Sequence, residues 1–169
     1  YSMKGTIVLE KMKSDDWEQV RKIYLEGIST GNATFQKIAP SWEEWDNGHN
    51  INCRSVARSK GKVVGWAALS PISSRSVYSG VGEVSVYVSL KENGKGIGSL
   101  LLDSLIENSE KNGFWMLQSG IFPENVGSIK LHKKHGFREV GRRERIGYMN
   151  GVWRDTVLLE RRSDKVGII

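Results

Sequence analysis

Apolar positions along the chain switch between two spacings. Trp17, Val20, Tyr24 and Ile28 recur three or four residues apart, which predicts a helix over residues 15–28. Ser14 is its expected N-cap, with Asp15 and Asp16 in the first turn, where carboxylates suit the helix dipole. A short β-rich run, Thr6 to Leu9, precedes it. After the Gly31-Asn32 turn signal, Ser41 and Glu44 have the spacing of a capping box and start a second helix. From Asn52 the spacing becomes two. Residues 53–58 and 63–70 read as a hairpin joined at Lys60-Gly61-Lys62. A Ser-rich loop follows, and then the strongest strand, Val81 to Ser89, with Val84, Val86 and Val88 on one face. A helix over 99–111, a strand over 114–121 and a helix over 126–135 come next. A strand beginning at 137–140 and a last strand over 152–160 complete the chain. The order β, α, α, three strands, α, β, α, two strands predicts a mixed α/β (α+β) domain. Its front half is antiparallel and its centre is βαβ-like.

Composition narrows the function classes. The chain has 169 residues, of which 38% are hydrophobic and 26% charged, a globular balance. A single domain over residues 3–162 is expected, with 163–169 as a tail and Tyr1-Ser2 as an extraneous pair before Met3. One cysteine, Cys53, excludes a disulfide framework and a multi-cysteine zinc site. Three scattered histidines make no metal pattern, so no metal is expected. Without a spanning run or secretory segment, the expected location is cytoplasmic, with no membrane partner. The net charge of +6 points to an anionic partner. Acidic residues alternate with the C-terminal arginines (Glu139, Glu144, Asp155, Glu160), which argues against nucleic acid.

The most informative stretch is Gly94-x-Gly96-x-Gly98 between the strongest strand and an apolar helix. Glycines admit positive φ and close approach, and a helix N-terminus offers free N–H groups to a phosphate or pyrophosphate. The loop lacks the Gly-Lys-Ser/Thr of a Walker A motif. It also lacks the third glycine of the dinucleotide fingerprint, whose place falls on Ser99 or Leu101.

Asn93-Gly94-Lys95-Gly96-Ile97-Gly98-Ser99 and the helix after it resemble the acetyl-CoA motif of the GNAT acetyltransferases. Asn93 stands where that family usually has Gln or Arg. Asn125-x-x-Ser128-x-x-Leu131-His132-x-x-x-Gly136-Phe137 resembles the family's second motif. Asn32-Ala33-Thr34-Phe35, Trp42 with Trp45, Gly82 to Val88, Leu131-His132, Gly147-Tyr148 and Trp153-Arg154-Asp155 together resemble its phosphinothricin and methionine sulfoximine branch. The resemblance runs from about Ile7 to Glu160. It implies a central sheet, mostly antiparallel and flanked by helices, with a splayed strand pair holding acetyl-CoA. It implies acetyl transfer to the primary amine of a small amino-acid-like substrate by direct attack, and a homodimer. Acetylation of protein N-termini or lysines is the nearest alternative, and a basic nucleic-acid-binding module the more distant one.

Within that resemblance, backbone groups of Gly94, Lys95, Gly96, Ile97, Gly98 and Ser99 would hold the pyrophosphate. Val86, Tyr87 and Val88 would align the pantetheine arm. Glu83, a carboxylate in an apolar strand, is the candidate base, since partial burial raises a carboxyl pKa. His132 stands where most of the family has tyrosine, and it can act as acid, relay or structural group. Asn125 can touch the pantetheine arm, cap its helix, or both. Arg75 is the candidate carboxylate or phosphinate ligand. Phe35, with Trp42 and Trp45, is pocket wall or plain core, and Tyr78 is a further substrate-side candidate. His135 is expected to cap its helix, His49 to have no role, and Cys53 to be a buried apolar residue.

Overall fold

A computed structural model of the chain describes residues 6–169. The expectation for Tyr1, Ser2 and Met3 lies outside the described residues. The elements follow in the expected order. They are β1 (Ile7–Lys11), α1 (Trp17–Ser29), α2 (Trp42–Gly48), β2 (Arg54–Ser59), β3 (Lys62–Pro71) and β4 (Val81–Val88), then α3 (Ile97–Lys111), β5 (Met116–Ile121), α4 (Val126–Lys134), β6 (Arg138–Met149) and β7 (Val152–Arg162).

Local chemistry explains most boundaries. The capping box forms: Glu44 N–H donates to Ser41 Oγ (3.2 Å), and Ser41 N–H donates to Glu44 Oε1 (3.0 Å). Ser14 does not cap α1. It lies inside a short 3₁₀ turn, Ser14–Asp16, where Asp16 Oδ2 accepts from Lys13 N–H instead. Asp16 is buried there because Arg58 pairs with its other oxygen at 2.8 Å. The glycine turn delivers the chain into α3 at Ile97, two residues before the expected start. β6 runs nine residues past Val140, because a charged edge strand carries no apolar alternation.

One seven-stranded sheet results, in the order β1-β2-β3-β4-β5-β7-β6. All neighbours are antiparallel except β4 and β5. The parallel pairing covers only Val81↔Met116, Gly82↔Leu117 and Glu83↔Gln118. Beyond Glu83 the two strands part. β4 stays on β3 through Val88↔Gly65, and β5 stays on β7 through Ile121↔Val157. Ser89 N–H donates to Val64 O across β3. By strand alternation, the N–H and C=O groups of Val84, Val86 and Val88 therefore face the fork.

The two faces of the sheet are covered differently. Leu101, Leu102, Leu105 and Ile106 of α3 pack on Ala67, Leu69, Val84, Leu117 and Leu159. On the other face α1 and α2 bring Val20, Tyr24 and Trp45 against Val56, Trp66 and Ala68. Trp42 is half-buried against this second core, so both tryptophans are packing residues rather than pocket wall. Residues 163–167 do not hang free as a tail. Ser163 N–H donates to Trp115 O, and Arg162 donates to the carbonyls of Val166 and Gly167.

Arg54 ties α2 to β2. It is 5% exposed, lies 5.1 Å from the Trp45 ring centroid, and donates to Asp46, His49 and Asn50. Removing it takes a donor from the part-buried carbonyls of Asp46, His49 and Asn50. Arg54→Ala is expected to cost about 3 kcal/mol of stability, read from the midpoint of denaturant unfolding.

Candidate active site

The fork opens into a cleft of about 560 Å³. β4 from Glu83 to Val88 forms one wall, and Ser119 to Phe122 the opposite one. Asn32 to Gln36, from the loop after α1, close one side. Asn125, Ser128 and His132 close the other. The cleft passes through the sheet. Glu83 and Tyr87 point to the face that carries α1, while Val84 and Val86 point to the face that carries α3 and α4.

Glu83 stands where the strands part, with Ser70 beside it on β3 and Gln118 on β5. Its side chain opens to solvent through the cleft, yet the surrounding walls remove hydration. That burial raises its carboxyl pKa above the usual value, and the Arg143 guanidinium opposes the rise.

His132 is 3% exposed and lies edge-on to Phe137. Its Nδ1 is 2.7 Å from Ser128 O. A carbonyl only accepts, so Nδ1 carries the hydrogen and Nε2 keeps a bare lone pair. That Nε2 is buried without a hydrogen-bond partner among the described residues. Burial holds the imidazole pKa below its usual value, Ser128 O pulls it back up, and His135 adds repulsion. The ring is therefore neutral at neutral pH, with the lone pair of its Nε2 unused.

The glycine turn follows Val88 and Leu90, where the cleft wall ends. Gly94 and Gly96 have φ of 80° and 81°, and neither has any atom within 4 Å of where a Cβ would stand. The turn thus exposes backbone that a side chain would strain or cover. Ile97, Gly98 and Ser99 present the first N–H groups of α3, and Leu100 N–H is the first to bond, to Gly96 O. Ile97 itself is core, and Lys95 pairs with Glu92 at 2.7 Å. Ser99 Oγ lies 2.7 Å from His135 Nε2, whose Nδ1 is 3.8 Å from Asp103. The His135 ring thus joins α4 to α3, and only its backbone N–H caps the helix.

Asn125 performs the capping duty expected of it and also bridges to the loop after α1. Its Oδ1 accepts from Ser128 N–H as an N-cap, and its Nδ2 donates to Asn32 O across the cleft. Phe35 lines the cleft and meets Phe122 edge-on at 4.8 Å. Tyr87 lines it too, but its ring stacks on Trp66 and meets Tyr24. Burial drives its phenol pKa upward. Arg75 and Tyr78 are not brought to the cleft; the arginine lies 5.7 Å over the Tyr78 ring in the exposed loop. His49 has a role after all, stacking on Trp45 and bonding its carbonyl. Among the described residues, no group of three or more potential metal ligands converges.

The sequence of the chain matches the model of the "Acetyltransferase (GNAT) family" over residues 14–137. The chain belongs to the GNAT acetyltransferase family. It is 30% identical to phosphinothricin N-acetyltransferase of Alcaligenes faecalis over 89% of this chain and 79% of that one. It is 33% identical to L-methionine sulfoximine/L-methionine sulfone acetyltransferase of Pseudomonas aeruginosa, over 62% and 60%. A phosphinothricin acetyltransferase of Sinorhizobium meliloti, solved in complex with AcCoA, has a TM-score of 0.86 at 29% identity, covering 97% of this chain and 92% of that one. A ribosomal-protein-alanine N-acetyltransferase of Brucella melitensis has a TM-score of 0.84 at 27% identity, covering 92% and 99%.

As a GNAT acetyltransferase the chain uses acetyl-CoA. The cleft fits that molecule. Its glycine turn and helix N-terminus suit a pyrophosphate, the unpaired β4 edge suits an amide-bearing arm, and His132 Nε2 awaits a partner.

Two cleft-side residues escaped the sequence reading. Arg154 donates to Gly31 O, Asn32 Oδ1 and Glu124 Oε1, and lies 4.1 Å over Phe122. Its place in the Trp153-Arg154-Asp155 motif was the available signal. Glu26 of α1 accepts from Leu90 N–H at 2.9 Å and from Ser89 Oγ at 3.3 Å, so it fixes the exit of β4 into the glycine turn. Its partners lie more than sixty residues away, beyond any local pattern. Glu26→Ala is expected to raise the KM for acetyl-CoA roughly fivefold with little change in kcat, measured by steady-state kinetics.

Proposed function

We propose that this enzyme acetylates the α-amine of a small amino-acid-like substrate, of the phosphinothricin, methionine sulfoximine or methionine sulfone type. One observation carries the reading. The fork puts a carboxylate with a raised pKa on one face of the sheet and an unpaired imidazole nitrogen near the other, with a single cleft between them. The substrate names come from the relatives described above.

In this reading the thioester approaches from the α3–α4 face and the amine from the α1 face. Glu83 takes one proton from the ammonium, freeing its lone pair. The nitrogen attacks the thioester carbonyl, the N–C bond forms, and the C–S bond breaks with its electron pair on sulfur. The nitrogen's second proton passes to His132 Nε2 and from there to sulfur. Backbone N–H groups of Gly94 to Ser99 hold the pyrophosphate, the free edge of Val86 to Val88 aligns the pantetheine arm, and Asn125 touches that arm. Phe35 walls the substrate side.

Likeness to the ribosomal-protein-alanine N-acetyltransferase favours a second reading, acetylation of a protein N-terminus. A thiol-release assay separates the two. Turnover of phosphinothricin, methionine sulfoximine or methionine sulfone, exceeding that of ordinary amino acids and of alanyl or lysyl peptides, supports the first reading; turnover of peptides alone overturns it.

The reading extends to a cytoplasmic homodimer. An acetyl-CoA-dependent enzyme needs a compartment that supplies acetyl-CoA, and the cytoplasm is one. Tyr148, Val152 and Trp153 crowd the tip of the β6–β7 hairpin at 62%, 56% and 52% exposure, a cluster suited to burial against a second copy. Light scattering should give twice the 19.0 kDa chain mass, and Trp153→Lys should return it to one.

Glu83→Gln is expected to retain acetyl-CoA binding by calorimetry and to lose about a hundredfold in kcat. A base works deprotonated. Parent activity should therefore fall as pH drops through the raised Glu83 pKa, and the variant should lose that limb. The raised pKa also means that ionised Glu83 weakens the fold above the unfolded value. The variant should accordingly be no less stable than the parent at neutral pH, which separates lost chemistry from lost folding.

A further inference from the structure

The region from Arg138 to Arg162 holds seven arginines, and the structure gives six of them partners. Arg138 pairs with Glu160, Arg142 with Asp155, Arg154 with Glu124 and Arg161 with Glu110. Arg162 donates to three carbonyls, and Arg145 lies over the Trp153 ring. The Arg143 side chain has no ion pair or hydrogen bond among the described residues, and it is exposed. Its position follows from the ladder. Arg143 is opposite Thr156 on β7, and Thr156 lines the cleft. Thr156 shares a face with Glu160, which is opposite Gln118, which in turn lies beside Glu83. Arg143 and Glu83 therefore project from the same face of the sheet, on either side of the β5–β7 floor. Helices α1 and α2 cover the β1–β4 part of that face. Beyond Glu83, the loop after α1 reaches the β7–β6 part, where Asn32 meets Arg154 and Phe35 meets Gly147.

We infer that Arg143 anchors the carboxylate of the amino-acid substrate while Glu83 receives its amine. The pair matches an α-amino acid zwitterion in sign and order: the carboxylate goes to the outer strand and the ammonium to the fork, next to the thioester. A guanidinium with all its donors free binds a carboxylate in two-pronged fashion. It also makes a negatively charged ligand tolerable near Glu83, which would otherwise repel it. Arg75, the carboxylate or phosphinate ligand implied by the resemblance, lies over the Tyr78 ring and does not line the cleft. Arg143 is thus the residue that would distinguish a free amino acid from a peptide N-terminus, whose carboxylate is already an amide. The inference rests on the amino-acid reading above.

The test compares methionine sulfone with its neutral carboxamide in the parent, Arg143→Gln and Arg143→Lys. The parent is expected to favour the acid by about tenfold or more in kcat/KM. Arg143→Gln should abolish that preference through KM for the acid alone. At a pH high enough to keep Glu83 ionised in both enzymes, turnover of the carboxamide and the KM for acetyl-CoA should stay at parent values, which shows an intact fold and fork. Arg143→Lys should restore part of the preference. An Arg143→Gln enzyme that still favours the acid as the parent does overturns the assignment and leaves the amino-acid reading standing, as does a parent that treats acid and carboxamide alike. A parent that acetylates only peptides overturns both.

Discussion

Everything at the site depends on β4 and β5 pairing for three residues and then letting go. Each strand keeps its other neighbour, β3 or β7, so neither loses its place in the sheet. The fork has a cost, because the β4 edge from Val84 to Val88 keeps polar groups that no strand satisfies. Contacts on both faces hold it open. Tyr87 is locked among Tyr24 and Trp66 on the α1 face. On the other, α4 is pinned through Asn125 to Asn32 and through His135 to Ser99. Arg154 adds a clamp from β7 to the loop after α1. A sheet that closed the fork would gain a few hydrogen bonds and lose a cleft that spans both faces.

The fork also sorts the electrostatics. Burial pushes the two titratable groups in opposite directions on the pH scale, yet both shifts favour the neutral form. Glu83 becomes a stronger base than an ordinary carboxylate. His132 becomes harder to charge while retaining a lone pair, since its only hydrogen is committed to Ser128 O. A neutral imidazole with that tautomer can accept a proton but has none to donate from Nε2. In the proposed reaction this restricts the roles left open by the sequence: the histidine would serve sulfur only after taking a proton from nitrogen.

The fold was legible where packing and sequence pattern coincide. Alternating valines in β4 and the leucine stripe of α3 face one buried core, so period and structure agree. The β6–β7 hairpin was half hidden because β6 is an edge strand, exposed over most of its length, with bulges at Val140 and between Arg143 and Gly147. Solvent imposes no alternation on such a strand, and its arginines read as a charged surface. The candidate site divides the same way. Glu83, the glycines, Asn125 and His132 sit in local patterns that survive in one dimension. Glu26 and Arg154 meet partners far away in sequence, and Arg143 comes onto the Glu83 face only through sheet register, so no local spacing marks them. Arg75 was named through the resemblance, and its guanidinium lies over the Tyr78 ring in an exposed loop outside the lining of the cleft.

Direct transfer, rather than passage through an acyl-enzyme, follows from what the cleft offers. The lone cysteine, Cys53, is fully buried against α3, with Sγ 3.8 Å from Asn108 O, and takes no part in lining the fork. Burial pushes its thiol up to about 11, so at neutral pH almost none is thiolate. Ser99 carries a histidine beside its hydroxyl and an aspartate beyond it, a Ser-His-Asp order that invites a nucleophilic reading. Its place argues otherwise. Ser99 belongs to the first turn of α3, beyond Val88 and Leu90 where the cleft wall ends, and Glu83 lies at the opposite end of β4. Five residues of extended strand separate Glu83 from Val88, about 16 Å at the usual rise. A thioester placed beside Glu83 is out of reach of a hydroxyl at the glycine turn, and a pyrophosphate placed at that turn needs a linker of about that length to bring its acyl group to the base.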